Sequence, residues 1–186
     1  HRPGWSSILF VGFVAPALVV TPWWQRFAVR HGKRFGYFTA SLLMILGAFL
    51  LWPFGGLAVL AIVAVALVGV GYAGCQMLPL AMLPDVASAD AQATGENRIG
   101  LFTGVWTAGE TLGLALGPGL YAAIIALGGY VPSTDGSAVQ SSGAVLAVIL
   151  GFSVVPAVLI ALSLWPLRHY RLTARDTGTL DGAEAS

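Results

Sequence analysis

Five long apolar runs, separated by short stretches that hold nearly all of the charge, set the pattern of this chain. They cover residues 5–24, 35–54, 57–83, 99–127 and 143–167. About 20 mostly apolar residues suffice to cross a bilayer as a helix, and each run meets that length. None shows the strict alternation of a strand, so helices are the expectation. The uninterrupted apolar core of the first run, Ile8 to Val20, is short, but Trp5 and the pair Trp23-Trp24 stand at its ends like interfacial aromatic belts. The third and fourth runs are longer than a crossing needs, which predicts tilt or protrusion. Pro53 with Gly55 and Gly56 predicts a tight turn, making the second and third runs an antiparallel hairpin. Ala15-Pro16-Ala17 has the small-x-small form of a leader cleavage site, yet the apolar run continues past it, which disfavours a leader. The first residue is His1, and the expectation is a fragment or a processed piece.

The reading is an all-α integral membrane protein with five transmembrane helices. Residues 1–167 form the bundle and residues 168–186 a polar tail. Composition agrees. Of the 186 residues, 57% are hydrophobic and 9% charged, with mean hydropathy +0.83. Soluble domains carry about 25% charged residues, and a chain this short cannot hide so much apolar surface in one core. Disorder is excluded by the same numbers. Cys75 is the single cysteine, which excludes a disulfide scaffold. A formal net charge of +1 argues against a nucleic-acid partner.

Charge also sets the topology. Arg26, Arg30, Lys33, Arg34, Arg98, Arg168, Arg171 and Arg175 fall on one side of the alternating spans, and only Arg2 on the other. The positive-inside rule makes the first side cytoplasmic. The chain is therefore expected to lie multi-pass in a cell (plasma or inner) membrane, surrounded by lipid, with its C-terminus in the cytoplasm.

Enzyme signatures do not occur. The chain has no H-E-x-x-H, no G-x-S-x-G and no Walker A loop. His1, His31 and His169 lie in loops or at an end and form no recognised metal spacing with Cys75. The expectation is no enzyme, no catalytic residues and no metal. Gly117-Pro118-Gly119 reads as a flexible point in the fourth helix.

Glu110 stands near the middle of the fourth run. A charge at that depth costs on the order of 3 kcal/mol on insertion scales and usually faces a bundle interior or a watery cavity. It reads either as a proton, cation or substrate site, or as a protonated carboxyl that bonds a neighbouring helix. Thr103, Trp106 and Thr107 precede it at helical spacing on the same side. An acid, two hydroxyls and an indole suit a polyol or sugar. Against that, Thr in a membrane helix can bond its own backbone, and Trp can face lipid. Gly109, Gly113 and Gly117 repeat every four residues, which predicts close approach of another helix. In the third run, Tyr72 and Gln76 are polar groups one turn apart, beside Gly69, Gly71 and Gly74, and Pro79 predicts a kink. This reads as a cavity-lining helix or as ordinary helix packing. Cys75 reads as a small packing residue.

Two charged loops complete the pattern. Residues 23–34 carry Arg30-His31-Gly32-Lys33-Arg34, and residues 84–98 carry Asp85, Asp90, Glu96 and Arg98. The basic loop is at least a topology signal. Its arginines could also cap helix ends or pair with Asp85 and Asp90 as a cytoplasmic gate, with Gly32 providing a tight turn.

These residues resemble a known family. Arg30-x-Gly32-Lys33-Arg34 resembles the cytoplasmic loop motif of the major facilitator superfamily. Leu83-Pro84-Asp85-Val86, then Gly95-x-x-Arg98-x-Gly100, then Gly113-x-x-x-Gly117 look like the C-terminal half of the glycoside–pentoside–hexuronide:cation symporters, the melibiose-permease-like branch. Tyr170-Arg171-Leu172-Thr173 resembles the end of those proteins, and related lysolipid carriers share the Leu-Pro-Asp region. The resemblance implies that the five spans match helices eight to twelve of a twelve-helix carrier. The partner would then be the missing N-terminal half, and a sugar or glycoside the substrate at midplane. It implies no cofactor beyond a coupling cation, H+ or Na+. It places a functional lysine where this chain has Glu110, a charge-reversing departure, and sets Gln76 and Trp106 at sugar-facing positions. The expected function is cation-coupled symport by alternating access. The alternatives are a lysolipid or other amphiphile carrier, and a non-transporting membrane subunit.

Overall fold

Residues 4–54, 57–133 and 138–168 are described by a computed structural model, with the side chains of residues 4–9 and 52–54 left aside. Six helices follow one another: α1 (Gly4–His31), α2 (Lys33–Phe54), α3 (Ala58–Thr94), α4 (Ile99–Leu127), α5 (Ser142–Phe152) and α6 (Val154–Leu167). No strand occurs among the described residues. Among the described residues, four stretches are long and apolar enough to cross a membrane: Lys33–Leu51, Ala58–Thr94, Ile99–Leu127 and Ser142–Leu167. The expected first span lies within α1, outside those four.

The elements differ from the sequence reading in three places. The basic loop expected over residues 23–34 is mostly helix. Nothing between Trp24 and His31 breaks the hydrogen-bond ladder, so α1 runs on until Gly32. Gly32 has φ 88°, a conformation open to glycine and costly for other residues. The acidic loop expected over residues 84–98 is helix as far as Thr94. Its stretch Asp85–Thr94 contains four alanines, the strongest helix former. It stops at Gly95, in the left-handed conformation at φ 74°, whose amide donates to the Ala91 carbonyl at 2.8 Å. The last span is divided at Ser153. Pro156 has no N–H for the Phe152 carbonyl and crowds it, and the Ser153 hydroxyl donates to the Ile149 carbonyl at 2.6 Å. Pro79 and Pro84 lie inside α3, and Pro118 inside α4, without ending either helix.

Packing centres on α3, which lies against α2 and α1. Trp24, expected at a membrane interface, is fully buried with Ala40 and Leu78. Its indole Nε1 donates to the Val70 carbonyl on α3 at 2.9 Å. A helix carbonyl has a second lone pair, so this bond ties α1 to α3 without breaking the α3 ladder. Glycines on α3 bring the backbones together. A Cβ built on Gly74 would lie 2.5 Å from the Ala40 Cβ and 2.8 Å from Trp24 Cε2. One built on Gly71 would lie 2.6 Å from the Ala40 carbonyl oxygen. The glycines of the third run are thus packing glycines. Ser41 is fully buried beside Cys75, with 3.6 Å between Oγ and Sγ.

The fourth helix is different. It meets α5 and, more slightly, α3, and none of its residues is buried. Contacts concentrate at its C-terminal end, where Gly128 lies against Ala147 and Gly151 against Tyr121. Gly109, Gly113 and Gly117, expected to receive a neighbouring helix, have open space where a Cβ would stand.

Candidate functional site

The polar residues of α4 lie on this uncovered surface. Glu110, Thr103 and Thr107 are exposed. No residue of α4 is buried, and Gly104, Gly109 and Gly113 around Glu110 have open space where a Cβ would stand. Thr103 donates its hydroxyl to the Ile99 carbonyl at 2.8 Å, the local bond expected of Thr in an apolar helix. Thr103 and Thr107 border a shallow groove with Gly104, Ala108, Thr111 and Ala115, all on α4. Trp106 is half-buried, and its indole Nε1 is shielded from solvent with no acceptor among the described residues. A shielded donor left unpaired costs about 1–3 kcal/mol, so an acceptor at this atom would be favourable.

Tyr72 and Gln76 share a face of α3 and are both exposed. The Tyr72 ring lies 5.5 Å from that of Phe13 on α1. Neither residue is among the walls of that α4 groove.

A second cavity was not foreseen from the sequence. It has a volume of about 820 Å³ and lies between α1, α2, α3, α4 and the divided last span. Phe13, Met44, Leu51, Tyr121, Phe152 and Leu159 are among its walls, which are almost wholly apolar. Its residues come from five separate apolar runs, so no local spacing announces it.

At the charged end of the bundle the pairing is more specific than expected. Lys33 directs its ammonium to α3, donating to Asp85 Oδ1 at 2.8 Å, Oδ2 at 2.6 Å and the Ala81 carbonyl at 2.9 Å. Arg98 pairs with Glu96 at 2.9 Å and lies 4.0 Å from Asp90. Lys33 is thus a partner of Asp85, while Arg30 and Arg34 are exposed. Gly32 forms the left-handed turn that sets Lys33 at the start of α2. The bond joins α2 to α3, two helices that already pack together.

A family model described as MFS/sugar transport protein matches residues 2–174. No curated protein and no solved structure matches the chain.

Proposed function

Because the chain belongs to the major facilitator superfamily, in the family described as MFS/sugar transport protein, we propose that it serves a secondary transporter moving a sugar or glycoside together with H+ or Na+. Alternating access needs two halves that close around a midplane site. In this reading the chain is one half, and the uncovered side of α4 faces the other. The observation that carries it is Glu110 standing exposed amid apolar sequence on a membrane-crossing helix. A carboxylate at that depth is not stable against lipid and belongs beside water, a cation or a polar partner. Glu110 would carry the proton or hold the cation. Thr103 and Thr107 would offer hydroxyls, Trp106 a ring and a free N–H, and Gln76 and Tyr72 further polar contacts from α3. Lys33 and Asp85, with Gly32 setting the turn and Asp90 and Arg98 further along the same end, would hold the cytoplasmic end closed.

The test is gradient-driven uptake of labelled sugars by the transporter carrying Glu110→Gln. Uptake is expected to fall about tenfold or more, within the usual range of coupling between two sites. Uptake at the original rate with the original ion dependence overturns the role.

One observation favours a second reading. The 820 Å³ cavity is apolar enough to receive an acyl chain, as a lysolipid or other amphiphile carrier requires. Competition separates the two. Sugars should block transport in the first reading, and lysolipids in the second.

A further inference from the structure

Two parallel stripes run along the end of α1 and across the Gly32 turn. One is aromatic. Trp23 and Phe27 stack with centroids 5.0 Å apart, Phe27 and His31 at 4.5 Å, and Phe27 and Phe35 at 5.9 Å. The His31 Nδ1 lies 3.3 Å from the Phe27 carbonyl oxygen, which steadies its ring in the stack. Trp23 and Phe35 remain about half exposed, at 47% and 53%. The second stripe is cationic: Arg26, Arg30 and Arg34, each one residue before a member of the aromatic stripe, all exposed.

These arginines have no ion pair among the described residues. Of the described acids at this end, Lys33 holds Asp85, Arg98 pairs with Glu96 at 2.9 Å, and Asp90 lies 4.0 Å from Arg98. The stripes also sit at a defined depth, because their last members, Arg34 and Phe35, lie at the start of the apolar stretch Lys33–Leu51. Aromatic rings and arginines at such a boundary meet lipid headgroups. We infer that this ridge is a binding surface for an anionic phospholipid. The phosphate would lie on the Arg26, Arg30 and Arg34 guanidiniums, and the glycerol and upper acyl chains against Trp23 and Phe35. Guanidinium suits phosphate through paired N–H donors. Lys33 does not contribute, since its three donors are already taken on α3.

The experiment uses native mass spectrometry of the detergent-purified protein with phosphatidylglycerol, phosphatidylcholine or inorganic phosphate added. An uncompensated arginine near a membrane surface is worth roughly fivefold in affinity for anionic lipid. The wild-type chain should therefore retain phosphatidylglycerol over phosphatidylcholine by about tenfold or more. Arg26→Gln/Arg30→Gln/Arg34→Gln should abolish the preference, whereas Arg168→Gln should keep it. A preference that survives the triple change overturns the proposal. Displacement of phosphatidylglycerol by millimolar phosphate also overturns it, since the site would then be one for soluble phosphate. A second measurement needs no change of charge. Brominated phosphatidylglycerol should quench tryptophan fluorescence more than brominated phosphatidylcholine does, and Trp23→Phe should reduce the difference. Equal quenching by the two lipids counts against the ridge.

Discussion

Lys33 on the first turn of α2 holds Asp85, near the far end of α3, through both carboxylate oxygens, at 2.6 and 2.8 Å. The Asp85 side chain is 13% exposed and that of Lys33 37%. The pair is therefore shielded more than a surface ion pair and less than a core one. Asp85→Asn should lower stability by about 1–2 kcal/mol, between the values for exposed and buried pairs. Lys33→Asp/Asp85→Lys should recover part of the loss. Melting of wild type, Asp85→Asn and the exchanged pair in one detergent checks both expectations, and equal melting of Asp85→Asn and wild type would show the bond to be without weight.

The glycines separate into two classes. Gly74→Ala forces a methyl against Ala40 and Trp24, and overpacking of this kind costs about 1–3 kcal/mol. Gly113→Ala meets nothing and should be neutral or stabilise by about 0.5–1 kcal/mol, because alanine is the better helix former. Melting midpoints of the two variants should move in opposite directions or, at the least, differ clearly.

Glu110→Leu should leave the melting of the purified chain within about 0.5 kcal/mol of wild type, as expected for an exposed position away from packing contacts. The same change should abolish coupled transport in the full carrier. A large loss of stability would mean instead that Glu110 supports the fold.

Water access along α4 can be read by cysteine labelling, in a background with Cys75→Ser. Thr107 lies in the α4 groove and Val105 about 160° around the helix from it. Thr107→Cys should react with a water-soluble maleimide at least about tenfold faster than Val105→Cys if its side of α4 is wet and the other faces lipid. Equal slow labelling of the two would argue against an aqueous path along this face.

Much of the fold was legible because membrane helices follow from apolar length alone. The runs 35–54, 57–83, 99–127 and 143–167 coincide with helices α2, α3, α4 and the α5–α6 pair. Boundaries were harder. Charged residues mark where a chain leaves lipid, whereas a helix continues until the backbone breaks, so α1 and α3 outrun their apolar runs. Within the candidate site, the residue types were visible but their grouping was not. Tyr72 and Gln76 are one turn apart in sequence, yet their distance from Glu110 depends on how α3 and α4 pack. The Trp23, Phe27, His31 and Phe35 series was open to reading at its four-residue spacing. It was masked by the stronger signal of the basic residues around it.

The sequence by itself determined the solvent of this protein, its helical class, its charged end and its family resemblance. Each of these depends on composition or on residues close together along the chain. Tertiary structure decided that Trp24 is core rather than interface, that Lys33 holds Asp85, and that the polar side of α4 is left uncovered. These depend on which helices lie side by side. In a bilayer nearly every helix surface is apolar, so the hydrophobic effect does not choose partners, and small residues, single hydrogen bonds and shape do.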